Sequence, residues 1–235
     1  MSSDITLYTW STANGIKASI TLEELGLHYK IKPIDIGAGV QKEEWFLKIN
    51  PNGRIPALTD GSQRVFESGS IMLYLADKYD TERKISYAPG TPEYIEQVSW
   101  LMFQIGGIGP MQGQANHFRL VANVRSDHAI KRFMDETKRL YSVLESRLTE
   151  SPYLAGSKYT IADIASYTWV RRGPALLEID LSEFPAVKRW VDEIGKRAAV
   201  QKGVDVPHVD RTNEQMGVFQ SARAKIDAMV NSDTH

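Results

Sequence analysis

The hydrophobic pattern of this chain mixes strand-like and helical periods up to residues 80–92 and is helical beyond them. Ahead of that point, short strand-like runs alternate with helical stripes. Ile5 to Tyr8 is apolar-rich and ends at the turn-prone run Ser11-Thr12-Ala13-Asn14-Gly15. Ile16, Ile20, Leu22, Leu25 and Leu27 then recur at near-helical spacing, with Gly26 as a stop. His28 to Ile36 reads as a second strand, Lys42 to Ile49 as a short helix, and Asn50-Pro51-Asn52-Gly53 as a turn. Ile55 to Leu58 and Arg64 to Phe66 form a hairpin pattern around Asp60-Gly61, and Ser68 to Tyr79 sets Ile71, Leu75 and Tyr79 on one helix face. The order β-α-β, α, β-β, α implies a small mixed sheet covered by helices.

Asp80 to Pro92 is polar and reads as a linker. Beyond it the pattern is helical: Tyr94 to Gln104, Ile130 to Leu148 with Phe133, Leu140, Val143, Leu144 and Leu148 in one stripe, Ile164 to Val170, and a last core helix opened by Phe184-Pro185. The expected class is therefore α+β: a sheet unit over 1–80, an all-helical unit over 92–200, and a polar tail over 201–235 with an amphipathic helix near Gln215 to Met229. Thr160-Ile161-Ala162-Asp163 is a helix-start box, and its expected role is structural.

Composition removes several functions. Lys and Arg number 28 against 29 Asp and Glu, which leaves no basic footprint for nucleic acid and no polybasic membrane patch. The opening MSSDITLYTW is not a basic segment followed by a long apolar run, so the cytosol is the expected compartment. There are zero cysteines, which excludes disulfides, thiolate zinc sites and a protein thiol nucleophile. No second ligand stands at metal spacing from His117, so no metal is expected and His117 reads as a pocket-wall or structural residue.

Three constellations have a chemical reading beside a bland one. Pro56 at a strand start, if cis, would expose the Ile55 N–H and C=O to an extended peptide; a trans proline at a strand edge is the plain alternative. Glu67-Ser68 at a strand-to-helix junction could grip the amine and carboxylate of an amino-acid head group, or simply cap the helix. Ser11 to Lys17 offers hydroxyl and amide donors at a helix start that would stabilise a thiolate, unless Thr12 or Asn14 serves only the backbone.

Pro51-Asn52-Gly53-Arg54-Ile55-Pro56-Ala57-Leu58 followed by Phe66-Glu67-Ser68-Gly69-Ser70-Ile71-Met72-Leu73-Tyr74-Leu75 resembles the glutathione transferase superfamily. Thr12-Ala13-Asn14-Gly15-Ile16-Lys17 and the run from Gly106-Gly107-Ile108-Gly109-Pro110 to His117-Phe118 are most similar to its Nu class and the fungal nitrogen-regulator-type branch. The resemblance implies a thioredoxin-like N-terminal domain, an all-helical C-terminal domain, glutathione as co-substrate and a homodimer. It implies that Asn14 and Thr12 contact the glutathione sulfur and Ile55 pairs with the cysteinyl unit beside a cis Pro56. By the same resemblance Glu67 and Ser68 hold the γ-glutamyl end, Arg54 and Gln41 face the glycyl end, and Arg132 meets the bound thiol or disulfide. Ala13 departs from the proline that branch often carries. Tyr8 and Ser11 are rivals for the sulfur, since other classes use those residue types; Asn14 and Thr12 are favoured by the match.

The expected activity is glutathione-dependent disulfide exchange, run between ligand sulfurs because the chain has none of its own. Conjugation of glutathione to hydrophobic electrophiles over Trp10, Met111 and Phe118 is the second expectation. A non-enzymatic regulatory or binding protein is the third; the few residues ahead of Ile5 speak against the prion-like form of it.

Overall fold

The computed structural model describes residues 4–208; the amphipathic helix expected near Gln215 to Met229 lies outside them. The first unit is a four-stranded sheet in the order β2-β1-β3-β4, built from β1 (Ile5–Thr9), β2 (Lys30–Pro33), β3 (Ala57–Asp60) and β4 (Gln63–Phe66). β1 runs parallel to β2 and antiparallel to β3, which returns antiparallel into β4. The second strand is shorter than the apolar pattern suggested. It is an exposed edge strand that ends at Pro33, a residue with no N–H to extend a ladder.

β1 alternates buried and half-buried residues, as a strand covered on both faces by unequal layers must. On one face Ile5, Leu7 and Leu58 pack with Ala18 and Leu22 of α1 (Gly15–Glu24) and Ile71 and Leu75 of α3 (Ser68–Tyr79). On the other, Ile34 and Ala57 pack with Phe46 of α2 (Glu44–Leu47). This is the thioredoxin-like arrangement with three helices on a mixed sheet.

Residues 80–91 carry no regular element, yet they are firmly tied. Asp80 is buried and accepts from Lys84 N, Ile85 N and Ser86 Oγ at 2.7–2.9 Å. Ile85 joins the helical core, and its carbonyl accepts from Ile161 N at 3.0 Å. The polarity that read as a loose linker is the donor and acceptor supply of a fastened connector.

The helical unit comprises α4 (Pro92–Phe103), α5 (Gly109–Asn116), α6 (Asp127–Glu150), α7 (Ile161–Val170), α8 (Gly173–Leu177), α9 (Pro185–Gly195) and α10 (Ala198–Val204). α7 is buried nearly all round and forms the centre of the core, with Leu101, Leu140, Leu144, Val187 and Trp190 packed about it. Ile20 of α1 and Met72 and Ala76 of α3 belong to the same core, so the two units share apolar interior. α10 also crosses from one to the other: Ser19 Oγ donates to Gly203 O at 2.6 Å. The expected start of a polar tail at residue 201 therefore falls inside a packed helix. No helix among the described residues is long and apolar enough to cross a membrane.

α4 and α5 form a nearly continuous rod interrupted by wide π-type turns at Gln104–Ile108 and His117–Val121. Such turns recur at functional sites because they rotate the following helix face. Here the first carries Gln104 toward α1, and both bracket the glycine-containing helix α5.

Candidate active site

The C-terminal end of β1, the N-termini of α1 and α3, and the approach to β3 converge at one edge of the sheet. The register that pairs Tyr8 with Ala57 brings the Ile55-Pro56 segment level with the end of β1. The Ile55–Pro56 bond is cis. Among the described residues no hydrogen bond takes the Ile55 N–H or C=O, which leaves both for an added extended strand. The turn before it is fixed by Asn50, whose side chain donates to Arg54 O at 2.6 Å and accepts from Asn52 N at 3.0 Å.

The turn into α1 is tight. A Cβ on Gly15 would stand 2.1 Å from Trp10 O and 2.6 Å from Thr9 Oγ1, so only glycine lets the chain fold back here. Gly15 N donates to Thr12 Oγ1 at 3.0 Å, making Thr12 the side-chain cap while its O–H remains able to donate. Asn14 makes no capping bond. Its Oδ1 instead accepts from the indole Nε1 of Trp169, on α7, at 2.9 Å.

Ser68 opens α3 and is buried; the exposed Glu67 precedes it with φ +67°, a conformation that costs on the order of 1–3 kcal/mol for a residue with a side chain. Lys17 Nζ lies 3.3 Å from Ser68 Oγ and donates to Gln104 Oε1, which joins α1, α3 and the first π turn under the site. Lys17 is fully buried, and burial pushes its ammonium down to about 7, with the Glu67 carboxylate pulling it upward. Two helix N-termini and the free Ile55 peptide groups thus meet at this edge, with the buried Lys17 beneath them. The field there favours an anion and the backbone favours an extended peptide.

Of the residues singled out in the sequence, Thr12, Asn14, Ile55, Glu67 and Ser68 share this edge. Gln41 is half-buried beside the 50–54 turn; its Nε2 donates to Ile36 O at 3.2 Å. Arg54 is exposed on that turn. Arg132 is exposed on α6 among His128, Lys131, Asp135 and Glu136, and among the described residues no hydrogen bond links it to Thr12, Asn14 or Ser68. Tyr8 packs its ring on Trp45 and Phe46 at 6.3 and 6.2 Å, and Ser11 is half-buried in the β1–α1 turn. Met111 and Phe118 are half-buried, Phe118 stacked on Phe133 at 5.6 Å, and His117 is exposed. Among the described residues no cluster of three metal-ligating side chains occurs.

Gln104 and Trp169 were not singled out in the sequence for a part in this site, and Lys17 was named only as the end of the Ser11 to Lys17 run, with no role of its own. A lysine in the third position of a helix reads as a solvated face, and no local spacing relates Trp169 to Asn14 across 155 residues.

Two family models match the chain: the glutathione S-transferase N-terminal domain over residues 3–77 and the C-terminal domain over 110–198. The chain is 44% identical to the disulfide-bond oxidoreductase YfcG of Escherichia coli, over 83% of this chain and 92% of that protein. It is 39% identical to the disulfide-bond oxidoreductase YghU of the same organism, over 88% and 75%. Among solved structures, a glutathione transferase homologue from Lodderomyces elongisporus with two glutathiones per subunit superimposes with a TM-score of 0.83 at 44% identity, covering 87% of this chain and 99% of that one. The glutathione transferase URE2P6 of Phanerochaete chrysosporium, in complex with oxidised glutathione, gives 0.83 at 42% identity over 86% and 94%. The matched domains, the relatives and the edge geometry agree: the chain belongs to the glutathione S-transferase family.

Proposed function

We propose that this protein is a glutathione-dependent disulfide oxidoreductase in which both reacting sulfurs come from ligands. The observation that carries the reading is a pair of donors, the Thr12 hydroxyl and the Asn14 amide, at a helix start in a chain with zero cysteines. Ile55 pairs its backbone with the cysteinyl unit, Glu67 accepts the γ-glutamyl ammonium, and Ser68 with the α3 N-terminus holds the γ-glutamyl carboxylate. Gln41 and Arg54 face the glycyl carboxylate. Arg132, exposed on α6, is assigned to the second thiol or the disulfide.

The step balances on two tripeptides. Glutathione binds and its thiol gives up a proton to solvent, leaving a thiolate held by Asn14 and Thr12. That thiolate attacks one sulfur of a disulfide; an S–S bond forms as the old one breaks, and the departing thiolate takes a proton. A second glutathione thiolate repeats the exchange, giving oxidised glutathione and two reduced thiols.

Asn14→Ala removes one charge-assisted hydrogen bond, so kcat/KM for glutathione-dependent reduction of a small disulfide falls by about 10- to 100-fold. Reduction of bis(2-hydroxyethyl) disulfide by the purified protein is the direct assay, and a protein inert in it has a different activity. A panel of aryl halides and enones tests conjugation, which would point the same thiolate at carbon.

We further infer a cytoplasmic homodimer. Ile95 and Met102 stand exposed on α4, apolar surface of the kind a symmetric partner covers. Sedimentation equilibrium should return about twice the mass of one chain, and a monomer at micromolar concentration would contradict the assignment.

A further inference from the structure

Trp169 lies on α7 in the helical unit, outside every motif that defines the glutathione-gripping edge. Its indole N–H donates to Asn14 Oδ1 at 2.9 Å. An indole nitrogen is a donor only, so the atom it meets must be the amide oxygen. The contact therefore decides which way the Asn14 amide faces: Oδ1 is engaged, and the NH2 group is left to donate elsewhere. Without it the amide could turn over at little cost and present an oxygen to the site, where it would repel a thiolate.

The backbone that carries the indole is itself held. Gln112 Nε2 donates to the Trp169 carbonyl at 2.9 Å, and Tyr141 Oη donates to Gln112 Oε1 at 3.0 Å. A Cβ built at Gly109 would stand 3.6 Å from the ring and one at Gly113 3.5 Å, ordinary contact distances, so α5 lies directly against the indole. The glycines of α5 thus form a seat for Trp169, and the wide turn before α5 aims that seat.

We propose that Trp169 is a positioning residue for thiolate stabilisation, fixing Asn14 as a hydrogen-bond donor toward the sulfur from the other structural unit. The inference rests on the proposed role of Asn14. It also implies that the relative placement of the two units, through the Trp169–Asn14 contact between α7 and the start of α1, sets the acidity of the bound thiol.

The test is a double-mutant cycle read by pH profile, using Trp169→Phe, Asn14→Ala and the pair. In the wild-type background Trp169→Phe should lower kcat/KM about tenfold below the thiol's pKa, with the ultraviolet titration of bound glutathione moving up by about one pH unit. The dissociation constant of S-methylglutathione, which has no ionisable thiol, should stay within about twofold, since Trp169 is given no part in gripping the tripeptide. In the Asn14→Ala background the same substitution should change kcat/KM by less than about twofold, because there is no amide left to orient. A loss equal in both backgrounds, or an unshifted profile in the first, would overturn the inference while leaving the role of Asn14 intact. An Asn14→Ala protein with an unshifted profile would sink both. Should Trp169→Phe fold poorly, a benzothienylalanine at position 169 keeps the fused ring and removes only the N–H, and the same outcomes apply.

Discussion

Asp163→Ala costs the fold about 3–5 kcal/mol. The carboxylate is buried completely and faces only donors. Oδ1 accepts from Leu154 N at 2.9 Å and Trp190 Nε1 at 3.0 Å; Oδ2 accepts from Thr160 N at 2.9 Å and Thr160 Oγ1 at 3.1 Å. Burial pushes the carboxyl up to about 6, against the pull of those four donors. Two opposed terms follow from removing it. Relief of the buried charge, from 3.8 to about 6, returns roughly 3 kcal/mol at about 1.4 kcal/mol per pH unit. Orphaning three buried N–H groups and a hydroxyl loses about 1–3 kcal/mol each, and the loss wins. Because Leu154, Trp190 and the cap of α7 lie on separate segments, the damage spreads through the helical core. Thermal unfolding should drop by on the order of 10 °C. A melting temperature within about 2 °C of wild type would show that water or rearrangement satisfies those donors. Thr160→Ala, which removes the cap but leaves the carboxylate, should cost only about 1 kcal/mol.

That box was legible because capping is local: a hydroxyl and a carboxylate three residues apart reach the N–H groups of their own helix start, whereas the bonds from Leu154 and Trp190 come from separate segments. The same locality explains why α3 begins and ends at Ser68 and Tyr79 as its apolar stripe implied. It also explains why the hairpin register follows from Asp60-Gly61. The candidate edge was legible in part. Thr12, Asn14, Ile55, Glu67 and Ser68 could be placed there because each sits at a strand-helix or turn-strand junction with its own signature. What could not be read is what those residues lean on. The π turns leave no mark on a 3.6-residue pattern until the helix has been built. Lys17 stands on a buried side of α1 only because α3 and the first π turn close over it. The chain from Gln201 reads as a polar tail, yet it starts inside α10, where Val200 and Gly203 are buried and Ser19 of α1 bonds to the backbone. In each case the deciding partner is supplied by tertiary packing, which periodicity does not see.

Lys17→Met should make the protein more stable and worse at its proposed work. The ammonium sits in the shared interior with neutral partners, Ser68 Oγ and Gln104 Oε1, and its attraction to Glu67 does not offset desolvation. A fall from 10.5 to about 7 corresponds to on the order of 5 kcal/mol of folding free energy. Methionine recovers that but leaves Gln104 Oε1 without a donor, a loss of about 1–3 kcal/mol. The net gain is about 2–4 kcal/mol, seen as a rise of roughly 5–10 °C in melting temperature. The sign of the pH dependence follows from proton counts. At pH values between about 7 and 10.5 the unfolded chain holds a proton on Lys17 that the folded chain has released, so wild-type stability climbs with pH across that window. Below about pH 7 both states are protonated and the burial cost is present in full. Lys17→Met should therefore exceed wild type by a nearly constant margin below pH 7, a margin that closes by up to about 1.4 kcal/mol per pH unit above it. Urea unfolding at several pH values measures this, and a margin that does not depend on pH would place the ammonium in contact with water. The charge that costs the fold stability would serve the proposed binding of a carboxylate at the Ser68 edge, because the same dry surroundings strengthen its pull on an anion. Calorimetry with S-methylglutathione should then show Lys17→Met binding about tenfold more weakly. Stability and affinity moving in opposite directions would mark Lys17 as a residue kept for the ligand at the expense of the fold.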